Sequence, residues 1–222
     1  MTGSALYVPD NEKYDPSNTS GDWQKYLVNI NGTNYTTYHT YAKRDWAGTA
    51  IPNVYGSFST GLTWKNLTLS GVFTYAQGGK TYDDSYLGLM SMSGSVGNLH
   101  SDLLKAWNGV PEGMTETSPN RIKAGGVPVV DFSKSIYSNA MSSRFLQDGS
   151  YFVIKNVGLS YTMPQALLRK IDFNSVRFNL SVENLATFTK LQGMNPQQQF
   201  NGRSVSAFVT PRVMSFGVNI GL

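Results

Sequence analysis

The 222-residue chain contains no cysteine, which excludes disulfides and thiolate metal sites. Charged residues make up only 14% of it, against about 25% in typical soluble domains. The net charge is +4, but no run of Lys or Arg exceeds two residues, so the sequence offers no basic patch for nucleic acid. No run of about 18 apolar residues occurs, which excludes a membrane-spanning helix. Strands that cross a membrane give a much weaker hydropathy signal, so a membrane protein stays open.

Glycine and tyrosine are abundant, with 22 and 13 copies, and aromatic residues reach 13%. This composition favours β structure with many turns. The first sixteen residues have no basic start and no apolar core, so they do not read as a secretory signal. If the protein is exported, we expect its natural N-terminus to lie outside this sequence.

Five segments alternate apolar and polar residues with a period of two, which is typical of strands between two different media. They are residues 54–64, 67–76, 150–162, 174–185 and 212–222. The apolar side of the fourth segment consists of Val176, Phe178, Leu180 and Val182. Its polar side consists of Arg177, Asn179, Ser181 and Glu183. The greasy side faces either a protein core or lipid, and the polar side faces either bulk water or a wet lumen.

The third segment is apolar on both sides at its start and alternates less well than the others. We assign its apolar side to Val153, Val157, Leu159 and Tyr161.

The connections between the segments alternate between short and long. Lys65-Asn66 joins the first pair, and residues 163–173 join the third segment to the fourth, with Pro164 placed to start a short helical turn. The other two connections span about 70 and about 25 residues. An antiparallel meander with this pattern has its short turns at one edge and its long loops at the other, as outer-membrane barrels do. In the longest loop, residues 101–107 predict a helix capped by Ser101.

Three stretches carry a resemblance to a known family: SSRFLQDGSYFVIKNVGLSYTMP (142–164), VRFNLSVENLATFTKLQGMNPQ (176–197) and TPRVMSFGVNIGL (210–222). Their order and spacing resemble the C-terminal part of the SusC-like (SusC/RagA) TonB-dependent outer-membrane transporters. Upstream, residues 56–79 resemble the family's preceding hairpin, and residues 98–109 resemble its loop helix. The chain departs from the family pattern at Ser160, Asn195 and Leu222, where Gly, Asp and Phe are usual.

The resemblance implies an all-β fold, an antiparallel up-and-down meander that forms the C-terminal part of a 22-stranded transmembrane barrel with a short helix in a long extracellular loop. Residues 54–222 are then barrel strands and loops, and residues 1–53 are an irregular loop region with a candidate hairpin around Asn31-Gly32. We expect a fragment, because the family's plug domain and signal peptide do not match these 222 residues.

The resemblance also implies a function, the TonB-dependent import of oligosaccharides or peptides across the outer membrane of a Gram-negative bacterium. The implied partners are a SusD-like surface lipoprotein, outer-membrane lipid, and TonB, which would bind through the N-terminal part of such a transporter. Residues 77–148 and 188–210 then lie outside the cell, and Lys65-Asn66 and residues 163–173 lie in the periplasm.

No convergent set of acid, base, nucleophile or metal ligands is visible, so we predict neither an enzyme nor a metal or cofactor site. His39 and His100 fall in predicted loops and are interpreted as exposed polar residues, and Asp83-Asp84 lacks the spacing of a calcium loop. Arg177, Asn179 and Glu183 are predicted to face the lumen. There, Arg177 and Glu183 either contact the plug or solute or pair with charges on neighbouring strands.

Three aromatic residues of the predicted outer loop, Tyr82, Tyr86 and Trp107, are the candidates for contact with a sugar or peptide. Trp107 serves equally well as the packing residue of its helix. The alternative function is a soluble secreted β-protein that binds glycans through surface aromatics. The alternation of loop lengths and the terminal strand favour the transporter.

Overall fold

The computed structural model describes residues 3–15, 17, 20–92, 97–115, 118, 120, 125–169, 173–193, 195–198, 201–204 and 209–221. The chain divides into two compact units. Unit 1 comprises residues 1–47 and 83–146, and unit 2 comprises residues 48–82 and 147–222. These units differ from the ranges 1–53 and 54–222, because residues 83–146 group with the N-terminal region and not with the strands.

Unit 1 is built from short elements. The strands β1 (Leu27–Ile30) and β2 (Thr33–Thr36) form an antiparallel hairpin. Its two turn residues, Asn31 and Gly32, both have positive φ, as a tight hairpin turn requires, so the predicted hairpin is present. The helices are α1 (Asp84–Met90) and α2 (Ser135–Ser138). The buried apolar side chains of this unit are Trp23, Ile30, Met90 and Phe145.

Helix α1 is held at its N-terminus by Asp83, whose carboxylate accepts a hydrogen bond from the backbone N–H of Tyr86 at 2.9 Å. The helix predicted over 101–107 is instead a 3₁₀ helix, Ser101–Lys105. Its cap is His100 and not Ser101, because the imidazole Nδ1 accepts the backbone N–H of Asp102 at 3.1 Å.

The remaining strands, in chain order, are β3 (Val54–Trp64), β4 (Leu67–Gln77), β5 (Lys80–Tyr82), β6 (Leu146–Asp148), β7 (Tyr151–Thr162), β8 (Ser175–Thr189) and β9 (Val213–Gly221). Five of them form one antiparallel sheet in the order β3-β4-β7-β8-β9, and β5 pairs with β6. The five predicted segments therefore pair in the order in which they follow one another in the sequence. The predicted strands and the all-β meander are confirmed, with β8 continuing past residue 185 to Thr189.

The short connections lie at the same end of the strands of the sheet. The turn Lys65-Asn66 joins β3 to β4, with Lys65 at a φ of 54°, and the Asn66 carbonyl accepts the backbone N–H of Thr162 at 2.8 Å. Helix α3 (Gln165–Leu168) begins after Pro164, as predicted, in the connection from β7 to β8. The two long connections leave from the opposite end of the strands, where the hydroxyl of Thr189 donates to the Ser150 carbonyl at 2.9 Å.

The register of the sheet changes at Lys155. Between β4 and β7, Val72 faces Asn156 and Phe73 faces Ile154, so Lys155 is one extra residue in β7. Such a bulge reverses the sides to which the residues before it point.

The bulge corrects one prediction. Phe152 and Ile154 face Tyr75 and Phe73, so they lie on the apolar side of the sheet. Val153 faces Thr74 on the polar side, and the prediction that it shares the side of Val157, Leu159 and Tyr161 is wrong.

None of the helices formed by the described residues is long and apolar enough to cross a membrane.

Candidate functional site

One side of the five-stranded sheet, the apolar face, consists of greasy side chains in register across the strands. Leu62 faces Leu69, Leu69 faces Leu159, Leu159 faces Leu180 and Leu180 faces Phe216. A row of rings crosses the same face, with centroids 4.8–6.2 Å apart between successive members Phe58, Phe73, Phe152 and Phe188. Such rows of aromatic contacts between neighbouring strands stabilise a sheet.

Much of the apolar face is open. Leu62 is 67% exposed, Leu180 46% and Phe216 70%. An exposed apolar surface of this kind marks a region that another apolar medium or molecule covers. Val176 is different, because it is buried with Leu168 of α3, which contacts β8. The predicted apolar side of β8 is therefore open at Leu180 but closed at Val176.

The opposite side of the sheet, the polar face, carries the three residues predicted to face a lumen. The Arg177 guanidinium donates from Nε to the Thr162 hydroxyl at 3.2 Å, and Asn179 Oδ1 accepts the Ser160 hydroxyl at 2.9 Å. Glu183 faces Asn156. Within the part of the chain that the structure describes, neither Arg177 nor Glu183 forms an ion pair, so pairing with charges on neighbouring strands is not seen.

Part of the connection from β8 to β9 folds over the polar face. The Gln197 side chain donates from Nε2 to the Thr74 hydroxyl at 2.9 Å, and its Oε1 accepts from Lys155 Nζ at 3.3 Å. Besides Leu168 and Val176, the apolar side chains of Ala76, Val153 and Leu191 are buried in unit 2. The bulge explains the contact, because it places Lys155 where its ammonium reaches the same amide that binds Thr74.

Asn195 fixes the turn that presents Gln197. Its Oδ1 accepts the backbone N–H of Gln197 at 3.0 Å, and its Nδ2 donates to the Thr210 hydroxyl at 2.6 Å. Both ends of the amide are therefore used. Sequence analysis missed Thr74, Lys155 and Gln197 as a group, because no local pattern links residues so far apart in the chain.

At the edge with the long loops, Asp148 organises a tight turn. Its Oδ1 accepts the backbone N–H and the hydroxyl of Ser150, at 3.1 and 2.6 Å, and its Oδ2 lies 3.2 Å from Lys190 Nζ. The hydrogen bonds from Ser150, helped by Lys190, lower the pKa of this carboxyl to about 2.

The aromatic candidates do not form one cluster. Tyr82 belongs to unit 2, where the Arg203 guanidinium lies 5.7 Å from its ring centroid. In unit 1, the Tyr86 hydroxyl donates to Asp102 Oδ2 at 3.0 Å, and its ring packs edge-on against His100 at 4.7 Å. Partial burial, helped by the hydrogen bond to Asp102, raises the pKa of Tyr86. Both histidines are half-buried and not fully exposed as predicted.

Trp107 follows the packing interpretation. Its backbone N–H donates to the Val127 carbonyl at 3.0 Å, and its indole lies against Gly3 so closely that a Cβ at Gly3 would collide with it. Asp83, the buried cap of α1, is likewise structural. Among the residues described, no group of three or more His, Cys, Asp or Glu side chains is placed to hold a metal ion.

Comparisons with known proteins agree with these features. No family model matches the chain. TonB-dependent receptor P3 of Formosa agariphila is 24% identical over 190 residues, which are 81% of this chain and 17% of that protein. TonB-dependent receptor P26 of the same organism is 24% identical over 183 residues, which are 78% of this chain and 17% of that protein.

Solved structures show the same fold. A structure of the RagAB peptide transporter matches with a TM-score of 0.68 and 23% identity, over 99% of this chain and 21% of that chain. The RagAB peptide importer in its closed-closed state matches with a TM-score of 0.68 and 24% identity, over the same shares. The resemblance to the SusC-like TonB-dependent transporters is confirmed. The chain spans about a fifth of the length of the proteins that it matches.

The motifs that carry the SusC-like resemblance have structural roles here. The Asp-Gly-Ser turn that precedes β7 is the Asp148 site. The Gly-Met-Asn-Pro segment supplies Asn195, which holds Gln197 over the polar face. The unusual Ser160 places a hydroxyl on Asn179, a bond that the usual glycine of SusC-like chains cannot make.

Proposed function

We propose that this chain forms part of the wall and outer loops of a TonB-dependent importer in the outer membrane of a Gram-negative bacterium. The observation that carries the proposal is the apolar face, which is open to its surroundings and lies back to back with a hydrogen-bonded polar face. A sheet with this pattern separates lipid from a wet lumen. Residues 54–222 then supply barrel strands and loops, and Arg177, Asn179 and Glu183 line the lumen.

We further propose that the solute is an oligosaccharide or a peptide, taken up with a SusD-like surface lipoprotein and with energy supplied through TonB. The RagAB structures, which are of a peptide transporter, support the peptide class. The names of the curated relatives support dependence on TonB. The importer has no catalytic role and no cofactor in this account. Tyr82 and Tyr86 stay candidates for contact with solute.

The soluble glycan-binding alternative explains less. A soluble sheet would bury its apolar face, and burying a side chain such as Leu or Phe contributes about 1.5–3 kcal/mol. Here Leu62 and Phe216 are mostly exposed. The candidate aromatic Trp107 is tied into packing within unit 1, where its indole lies against Gly3.

Cysteine labelling on intact cells tests the orientation, and the chain is suited to it because it has no cysteine. In the full-length protein that contains this chain, Asn108→Cys and Asn201→Cys should react with an impermeant thiol reagent, since both lie in the long connections and are exposed. Ala166→Cys, exposed in α3, should react only after the outer membrane is opened. Gly202 is unsuitable, because it has a φ of 72° and a Cβ there would meet Ala50. Labelling of Ala166→Cys alone on intact cells would refute the importer orientation.

A further inference from the structure

We propose that Lys155, together with the hydroxyl of Thr74, forms a binding site for a carboxylate group of the transported solute. The site lies on the polar face and rests on the proposed function, in which that face lines the lumen. It narrows the solute class from oligosaccharides or peptides in general to those that carry carboxylates, such as uronate sugars or peptides with a free C-terminus.

The geometry leaves hydrogen-bond donors available at one place. Lys155 Nζ carries three donors, and one of them is used, at 3.3 Å, on the neutral Oε1 of Gln197. The Thr74 hydroxyl accepts from Nε2 of the same amide at 2.9 Å, so its own proton is free to be donated. An ammonium and a hydroxyl therefore flank one amide, and a carboxylate has two oxygens to accept from both.

No protein carboxylate serves Lys155. Within the described ranges it takes part in no ion pair, and its one hydrogen bond is to a neutral group. The sequence that connects β8 to β9, residues 190–212, contains no Asp or Glu, and its Gln197 is the residue that contacts Lys155. Lys155 is only half-buried, so its ammonium group is open to an approaching ligand.

The charge balance of the whole unit has the same sign. Unit 2 contains nine Lys or Arg and three Asp or Glu, a net charge of +6, whereas unit 1 contains nine and eleven, a net charge of −2. One of the three acids in unit 2, Asp148, is already paired with Lys190. Most of this excess lies in turns and loops, since the strands of the five-stranded sheet carry only Lys155, Arg177 and Glu183, a net charge of +1. A net positive charge attracts anions and raises their local concentration.

The bulge gives the site its position. Without the extra residue in β7, the period of two would carry the side chain at position 155 to the apolar face with Val157 and Leu159. The bulge turns Lys155 onto the polar face, beside Asn156, which faces Glu183 on β8. The regular pairing of β4 with β7 is therefore interrupted where Lys155 meets Gln197, which also binds Thr74.

A pair of charged thiol reagents tests the site without knowledge of the solute. In the full-length protein in detergent, Asn156→Cys is labelled with an anionic and a cationic methanethiosulfonate of similar size. We expect the anionic reagent to be favoured, and Lys155→Gln to lower the ratio of anionic to cationic rates by roughly threefold to tenfold, as expected for one nearby charge. Lys155→Arg should preserve the ratio, and Arg177→Gln, at the other end of the same face, is the matched control with little change.

Acetate supplies the carboxylate probe. With Lys155 present, sodium acetate should slow the anionic reagent more than an equal concentration of sodium chloride does, and Lys155→Gln should remove that difference. Equal effects of the two salts, equal changes in Lys155→Gln and Arg177→Gln, or no labelling of Asn156→Cys by either reagent would each overturn the site. This measurement does not depend on membrane orientation, so a failed topology experiment and a failed site are distinguishable.

Discussion

The two units of this chain differ in how their apolar side chains are arranged. Unit 1 buries Trp23, Ile30, Met90 and Phe145 within itself and carries a net charge of −2. The sheet of unit 2 leaves side chains such as Leu62 and Phe216 open, and unit 2 as a whole carries a net charge of +6. Unit 1 therefore encloses a small core of its own, whereas the exposed apolar side chains of the sheet share one face in register across its strands.

The largest effect on stability is expected from a substitution in the core of unit 1. Phe145 is fully buried, and Phe145→Ala should destabilise this unit by about 3–5 kcal/mol, through lost burial and the cavity left behind. Leu104, which is 91% exposed in the same unit, is the control, and Leu104→Ala should change stability by less than about 0.5 kcal/mol. Hydrogen exchange of the amides of residues 83–146 measures both, and equal effects would show that unit 1 has no core of its own.

The second prediction sets the two faces of the sheet against each other. Leu180→Arg places a charge on the apolar face near the middle of β8 and should cost about 2–4 kcal/mol in lipid. Ser181→Arg, the next residue on the polar face, should cost much less. Denaturant titration of the protein refolded into vesicles gives both values. Similar costs at the two positions would remove the distinction between lipid and lumen.

The third prediction concerns the turn where the sheet meets its long loops. Asp148→Asn should lower stability by about 1–2 kcal/mol, a figure reduced for its partial exposure to solvent. Because the folded pKa is lowered from 3.8 to about 2, the ionised carboxylate stabilises the fold above about pH 4. That contribution is lost as the pH falls through this range. The wild type should therefore lose more stability than Asp148→Asn between pH 5 and pH 2. Equal losses in the two proteins would contradict a stabilising role of the Asp148 carboxylate.

The smallest effect is expected at the unusual Asn195. Asn195→Asp introduces the residue that is usual in SusC-like transporters and keeps the acceptor for the Gln197 N–H, while the Thr210 hydroxyl can turn to donate to it. We expect a change below about 0.5 kcal/mol, against about 1 kcal/mol or more for Asn195→Ala, which removes the cap. Thermal melts of the two variants provide the comparison, and equal losses would show that the amide's donor is essential.

The sheet was predictable because strands between two media carry a period of two. The segment around Leu180 alternates without exception, and its strand lies where predicted. The start of β7 was not predictable in the same way, since Tyr151, Phe152, Val153 and Ile154 are apolar on both sides and hide the change of side at Lys155. The consequence was the wrong side for Val153.

The other features of the structure could not be predicted, because they depend on contacts between residues that are far apart in the sequence. Helix α1 was missed because Asp83-Asp84 was considered only as a metal candidate, although its first carboxylate is a cap. The grouping of residues 83–146 with the N-terminal region depends on contacts such as that of the Tyr7 hydroxyl with the Tyr137 carbonyl at 2.6 Å. The meeting of Lys155, Thr74 and Gln197 likewise depends on a bulge and a returning loop, and no spacing in the sequence reports it.

The central claim is that the two faces of one strand see two solvents, and lipid quenching tests it most directly. Leu180→Cys and Ser181→Cys, prepared separately in the full-length protein, carry the same polarity-sensitive dye and are reconstituted into vesicles with or without brominated lipid. We expect strong quenching by brominated lipid and blue-shifted emission at position 180, with neither at position 181. Equal quenching at both positions, or quenching at position 181 alone, would contradict it.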